Sequence, residues 1–236
     1  MAKMIQCYMS RNSTICSKMN KLFGVAGYTV TKGIIPLAHL AELSECLVGL
    51  GPGAHQRLEE KNDRYRSIIL LCAQYIKNSI CFSRKALYLE GSIVLIKQAN
   101  GSEAVPPHQD GISDDLRLDP QKSASAWIPL QDTDQGNGTL IILPGSHRTG
   151  YLEPERMPPD GNSQSPLAIQ LAPSTIVKGE TIAVKASSVC LFDSRLIHWS
   201  GPNNSSRLRY AVNMRLVFEE GIRYRQSGLP PLYRIS

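Results

Sequence analysis

The sequence predicts an α+β fold, mainly β, in which helices come first and an eight-stranded jelly roll or cupin-like double sheet follows. Three observations predict it. Apolar residues at helical spacing are confined to the N-terminal part, while short runs rich in Ile, Val, Leu and aromatics, bounded by Gly, Pro, Asn and Asp, crowd the stretch from Ser92 onward. Eighteen glycines and fifteen prolines against four phenylalanines suit a loop-rich sheet better than a helix bundle, because turns need the freedom of glycine and the fixed φ of proline. Helices followed by closely spaced strands is the order of an α+β domain whose helices pack outside the sheets. With 236 residues the chain can bury one sizeable core, so 1–236 reads as a single domain. Within it, 1–91 is mostly helical, 92–218 is the β core and 219–236 is a C-terminal tail.

The elements follow in order. Pro36 precedes Leu37, Leu40, Leu43, Leu47 and Leu50, an amphipathic helical period stopped by Gly51-Pro52-Gly53. A second helix is expected over Tyr65–Ile76 and a shorter one over Ile80–Leu89. Strands are expected at Ser92–Gln98, Ala124–Leu130, Leu140–Leu143, Glu180–Val184, Ser188–Phe192 and Arg209–Phe218. Between Pro144 and Lys178 the pattern fails. Pro154, Pro158, Pro159, Pro166 and Pro173 forbid regular structure over most of that stretch, which reads as a lid-like insertion or substrate wall because strands resume straight after it.

Composition narrows the function classes. No apolar run reaches the length of a membrane-spanning helix. The six cysteines, Cys7, Cys16, Cys46, Cys72, Cys81 and Cys190, form no CxxC pair and follow no signal-peptide block, so reduced thiols and a cytoplasmic location are expected. The glycosylation triplets at Asn203 and Asn204 are then chance matches. The first acidic residue is Glu42, yet the acid-free N-terminus has one arginine, Arg11, which is poor for an Arg-rich transit peptide. A net charge of +6 and a pI near 9.0 invite a nucleic-acid reading. The basic residues are scattered and no aromatic-plus-basic recognition motif accompanies them, so the expected partner is a small-molecule substrate, with no nucleic acid and no membrane, on a monomer or homodimer. The charge is also compatible with a modest positive field that favours an anionic small molecule such as a dicarboxylate cosubstrate.

The chemistry lies in His108-Gln109-Asp110, the distant His198, and Arg209 eleven residues beyond it. Two imidazoles and one carboxylate on one face of an octahedron hold Fe(II) and leave three positions open for a cosubstrate and dioxygen. An arginine beyond the third ligand suits the far carboxylate of a dicarboxylic acid, which a planar guanidinium grips in bidentate fashion. Each piece alone is common. Together, with His108 and Asp110 after a strand and the Pro106-Pro107 turn and His198 closing another apolar strand, they are placed to converge at one barrel mouth. His39 and His55 lack such context, and His147 sits in a Pro144-Gly145-Ser146-His147-Arg148 turn that reads as structural.

In these motifs the chain resembles the phytanoyl-CoA dioxygenase family of Fe(II)- and 2-oxoglutarate-dependent oxygenases. The matching stretches are Lys97-Gln98, His108-Gln109-Asp110-Gly111, Trp127-Ile128-Pro129-Leu130, Gly136-Asn137-Gly138-Thr139-Leu140, Leu143 through Arg148, and Leu196-Ile197-His198 through Asn203 to Arg209, with a Gly27-Tyr28 to Pro36 opening. The resemblance implies a double-stranded β-helix, with His108, Asp110 and His198 as iron ligands and Arg209 on the 2-oxoglutarate C5 carboxylate. Arg207, two residues earlier, is the rival for that role if the strand already runs there. Trp127 lines the cosubstrate pocket by resemblance, or packs as an ordinary core indole. Lys97 faces the same cavity or lies exposed on its strand. Asp193 is either an acceptor orienting a ligand imidazole or a turn residue.

The cofactors so implied are Fe(2+), 2-oxoglutarate and O2, and the reaction is oxidation of an unactivated C–H bond of a small molecule, with release of succinate and CO2. Halogenating relatives carry a small residue where Asp110 stands, so hydroxylation is expected. Desaturation or oxidative cyclisation at the same iron site is the alternative, and secondary metabolism the setting that family analogy suggests. A catalytically silent jelly-roll binding protein is the other reading, opposed by the intact His108, Asp110, His198 and Arg209.

Overall fold

The computed structural model of the protein describes residues 24–79, 86–101, 104–110, 119–156, 167–223 and 231–235. Two antiparallel sheets carry the fold. The major sheet has the order β1 (Tyr28–Thr31), β10 (Val189–Asp193), β5 (Ser123–Pro129), β12 (Arg209–Phe218), β3 (Leu87–Lys97) and β13 (Tyr233–Ile235), with β2 (Gly53–Gln56) also paired to β3. The minor sheet runs β4 (Val105–His108), β11 (His198–Ser200), β6 (Leu140–Ile142), β9 (Glu180–Thr181). From β3 to β6 and again from β9 to β12, consecutive strands alternate between the two sheets, as in a jelly roll.

The major sheet is buried on both faces, and the period of two decides which residue goes where. Val189, Leu191, Ala126, Ile128, Val212, Met214, Val94 and Ile96 point outward into one apolar cluster. There they meet helices α1 (Leu37–Glu45) and α2 (Asp63–Ser79), through Leu40, Leu43, Tyr65, Ile69, Cys72 and Ile76. The alternating residues Cys190, Phe192, Trp127 and Ala211 point inward and pack with Leu140, Ile142 and Val184 of the minor-sheet side. Each helix therefore covers the back of the sheet and leaves the space between the sheets to the site.

The two larger helices form as their leucine and isoleucine spacing predicts. The expected helix over Ile80–Leu89 does not: Leu87 already begins β3, and 80–85 lie outside the described residues. The apolar run there is the start of a strand paired on both sides, which periodicity alone does not separate from a helix. The N-terminal part also holds β1 and β2, so it is less helical than expected. Tyr28-Thr-Val-Thr is a β-branched alternation that reads as a strand once β10 is there to pair with it. The 144–178 stretch is more regular than its prolines suggest. It holds a 3-10 turn at Ser146–Thr149, the hairpin of β7 (Glu155–Arg156) with β8 (Leu167–Ala168), and the short α3 (Pro173–Ile176), in which Pro173 occupies the first turn that proline tolerates. Residues 157–166 lie outside the described set.

Candidate active site

β4 and β11 are antiparallel neighbours whose register sets His108 directly opposite His198. Opposed side chains on such a pair have Cβ atoms about 5 Å apart, and the two ring centroids lie 4.2 Å from each other. His108 is the last residue of β4 and His198 the first of β11. Pro106 and Pro107 lie within β4 instead of in a turn before the motif, and His198 opens its strand instead of closing one. β4 is an edge strand, where the missing proline N–H groups are tolerated. Asp110, two residues past β4, turns back so that Oδ1 stands 3.9 Å from each Nε2. Ligand-capable atoms of His108, Asp110 and His198 all lie within 4.8 Å of one another.

The surroundings set the state of each donor. His108 Nδ1 is 2.8 Å from the Pro106 carbonyl and His198 Nδ1 is 2.9 Å from that of Leu196. A carbonyl only accepts, so each Nδ1 carries a proton and each Nε2 is the ring nitrogen left facing Asp110. Asp110 Oδ2 accepts from Ser125 Oγ and from Asn213 Nδ2, the latter at 2.8 Å, which leaves Oδ1 for the imidazole side. Burial would raise the Asp110 pKa, but His198, His108 and the Ser125 and Asn213 hydrogen bonds outweigh it and hold the carboxyl below its ordinary range. Burial, reinforced by His108, pushes His198 down to about 4, against the pull of Asp110. Two imidazole Nε2 atoms converging on a carboxylate with one oxygen spare are a donor set that fits a divalent transition metal.

A buried cationic pocket adjoins this set. Arg209 is 2 % exposed and pairs across the strands with Lys97, itself 0 % exposed. The Arg209 Nε has no hydrogen-bond partner, Nη1 reaches the Leu95 carbonyl only at 3.5 Å, and among the described residues no carboxylate forms an ion pair with it. Burial pushes its pKa down to about 9. Because a guanidinium keeps its proton in practice, the cost of burying it is relieved by an incoming anion. Lys97 Nζ donates to the Gly201 carbonyl at 2.7 Å. The Trp127 ring lies 5.8 Å from the Arg209 guanidinium carbon, on the inner face of β5. Arg207 is exposed in a bend before β12 begins, so it does not share the strand face of Arg209.

Two neighbouring motifs shape the pocket. Gly138, at φ +73°, approaches so closely that a Cβ there would stand 2.8 Å from the Gly201 carbonyl and 3.0 Å from Lys97 Cδ. Asn203 is fully buried and donates to the carbonyl of Arg207, tying the loop that leads into β12. Asp193 does not orient a ligand imidazole. Its carboxylate takes the Arg195 guanidinium at 2.8 Å, and the neutral Leu196 carbonyl serves His198 instead. His147 is buried, with Nε2 3.3 Å from the Gly24 carbonyl, in the structural turn expected of it.

Four side chains that matter here were not singled out from sequence. Ser125 and Asn213 sit on inner positions of β5 and β12, in register with Arg215 and Trp127 respectively. A polar Asn213 on the same face as Ala211 and Arg209, two and four places away, was the readable signal. Gln109, 6 % exposed, donates to the carbonyls of Gly150 and Arg195 and accepts from Leu152 N–H. Tyr151 donates to the Asp110 carbonyl at 3.1 Å. Together they clamp the start of the 144–178 segment onto the His-x-Asp motif.

A family model described as phytanoyl-CoA dioxygenase (PhyH) matches residues 52–211, a span that includes His108, Asp110, His198 and Arg209. The chain belongs to the phytanoyl-CoA dioxygenase family. A phytanoyl-CoA dioxygenase of Arabidopsis thaliana is 32% identical over 134 residues, covering 56% of this chain and 45% of that protein. The chain spans about half the length of the curated relatives it matches. Among solved structures, EvdO2 from Micromonospora carbonacea var. aurantiaca complexed with 2-oxoglutarate superposes with a TM-score of 0.66 at 16% identity, over 94% of this chain and 96% of that one. The epimerase SnoN in complex with Fe3+, alpha ketoglutarate and nogalamycin RO gives 0.64 at 18% identity, over 87% and 84%. These likenesses agree with the jelly-roll fold.

Proposed function

We propose that this protein is an Fe(II)- and 2-oxoglutarate-dependent dioxygenase that hydroxylates an unactivated C–H bond of a small molecule. The observation that carries the reading is the convergence of three ligand atoms from His108, Asp110 and His198 beside the buried, anion-deficient Arg209. His108, Asp110 and His198 hold the metal, and Arg209, assisted by Lys97 and Trp127, holds the distal carboxylate of 2-oxoglutarate. Family membership and the 2-oxoglutarate complex of EvdO2 support both assignments.

When bound, iron with 2-oxoglutarate and O2 supplies the oxidising chemistry, which yields succinate, CO2 and an oxidised substrate. The rest falls to the chain. Pro106 and Leu196 carbonyls fix the imidazole rings, Ser125 and Asn213 fix the carboxylate, and Gln109 and Tyr151 hold the motif against the start of the 144–178 segment. Asp110 fills the position that a halide takes in halogenating relatives, which favours hydroxylation over halogenation. Unpaired Cys46, Cys72 and Cys190 support a reducing, cytoplasmic setting.

The test is succinate formation from 2-oxoglutarate under air. Slow turnover that needs added Fe(II) and disappears in His198→Ala is expected. No turnover with iron present would overturn the reading in favour of a silent binding protein, and turnover indifferent to that substitution would overturn the assignment of His198 to the metal.

A further inference from the structure

Arg215 lies on the same inner face of β12 as Asn213, because side chains alternate along a strand and the register shifts only after Arg215. Asn213 touches Asp110, and Arg215 is set directly opposite Ser125, whose hydroxyl also touches Asp110. Two strand residues advance the chain by about 7 Å, so Arg215 stands one such step along β12 from Asn213, away from Arg209. The two arginines thus lie on either side of Asn213 on one face, with Arg209 sealed in and the Arg215 side chain 23% exposed.

Arg215 is braced but not saturated. Its Nε is 2.7 Å from Glu90 Oε2, an ion-pair contact too poorly angled to count as a hydrogen bond for either atom. Glu90, 3 % exposed, is the extra residue of the bulge in β3 and gives its other oxygen to Arg57. Arg57 is fully engaged, with Glu60 and the Glu90 carbonyl as further acceptors. One carboxylate therefore serves two guanidiniums, and among the described residues no acceptor meets the two terminal nitrogens of Arg215. A half-neutralised guanidinium, held by its Nε edge with its fork open, is shaped to receive an oxyanion in bidentate fashion.

We propose that Arg215 is a specificity-determining residue that binds an anionic group, a carboxylate or a phosphate ester, of the primary substrate and so sets which C–H bond faces the metal. This rests on the dioxygenase reading above. It assigns the substrate an anionic end separated from its oxidised carbon by a short chain of bonds.

The test uses full-length protein held anaerobically with Fe(II) and saturating 2-oxoglutarate, titrated with hexanoate, hexyl phosphate and 1-hexanol. If the keto-acid absorption band never forms, the dioxygenase reading has failed and not this one. With the band present, one or both anions are expected to bind at least tenfold more tightly than the alcohol, and the better anion identifies the group. Arg215→Gln should abolish that preference while leaving the band and 2-oxoglutarate affinity intact. The proposal is overturned if neither anion binds better than hexanol, if Arg215→Gln keeps the preference, or if that variant loses 2-oxoglutarate. Should the Gln variant prove insoluble, Arg215→Lys is read in its place: a weakened preference is expected, and an unchanged one overturns the proposal.

Discussion

Replacing Arg209 with methionine should make the ligand-free protein more stable while removing its response to 2-oxoglutarate. Arg209 is 2 % exposed, its Nε is unpartnered, and its one hydrogen bond among the described residues is 3.5 Å long. An uncompensated buried ion costs several kcal/mol, of which relief of about 3 kcal/mol is a reasonable share. The lost contact with the Trp127 ring takes back about 1 kcal/mol. A net gain of about 2 kcal/mol raises Tm by about 4–8 °C in a domain of this size. In the parent protein loaded with Mn(II), 2-oxoglutarate at a hundredfold over its Kd should add about 2.7 kcal/mol, or about 5–10 °C. The variant should add none. Thermal unfolding followed by circular dichroism, with and without the keto acid, reads both effects. An Arg209→Met protein that melts below the parent and still gains stability from 2-oxoglutarate would refute the reasoning, since the buried charge would then have a partner and the keto acid another site.

Three further outcomes follow from the same geometry. Asn213→Ala removes one of two hydrogen bonds to Asp110 Oδ2 and should weaken metal affinity by about 10–100-fold with little change in Tm, as read by competition with a chromogenic chelator. Gln109→Leu strands the Gly150 and Arg195 carbonyls and the Leu152 N–H, at about 1–3 kcal/mol for each group that water does not reach, and should open the 144–178 segment to proteolysis before the rest. His198 has a folded-state pKa of about 4 against an ordinary 6.5, so between those values the unfolded chain binds the extra proton. Metal-free stability should therefore fall as pH drops from 6.5 toward 4, by about 3 kcal/mol, in urea titrations, and His198→Gln should flatten that slope.

The parts legible in sequence were those with strong local rules. The α1 and α2 stripes are helices, a strand occupies part of each of the six stretches expected from Ser92 onward, and His108, Asp110 and His198 converge. What stayed hidden depended on partners distant in sequence. Leu87–Glu90 reads as helix or strand until β12 and β13 flank it. Asp193 looked suited to His198, yet Arg195 sits closer to it. Lys97 and Arg207 show the same limit: a lysine that sequence left either facing the cavity or exposed is buried, and an arginine two residues from Arg209 is exposed because the strand starts after it. Ser125 was hidden because a hydroxyl announces nothing until the carboxylate it holds has been folded against it.

The most direct test of the central claim is an anaerobic titration of metal-free protein with Fe(II) and then 2-oxoglutarate, watching for the visible charge-transfer band of a chelated keto acid. The account predicts a band that saturates at one equivalent of iron and is absent in His108→Ala. Iron and keto acid that leave the visible spectrum unchanged, or a band that survives loss of His108, would contradict it.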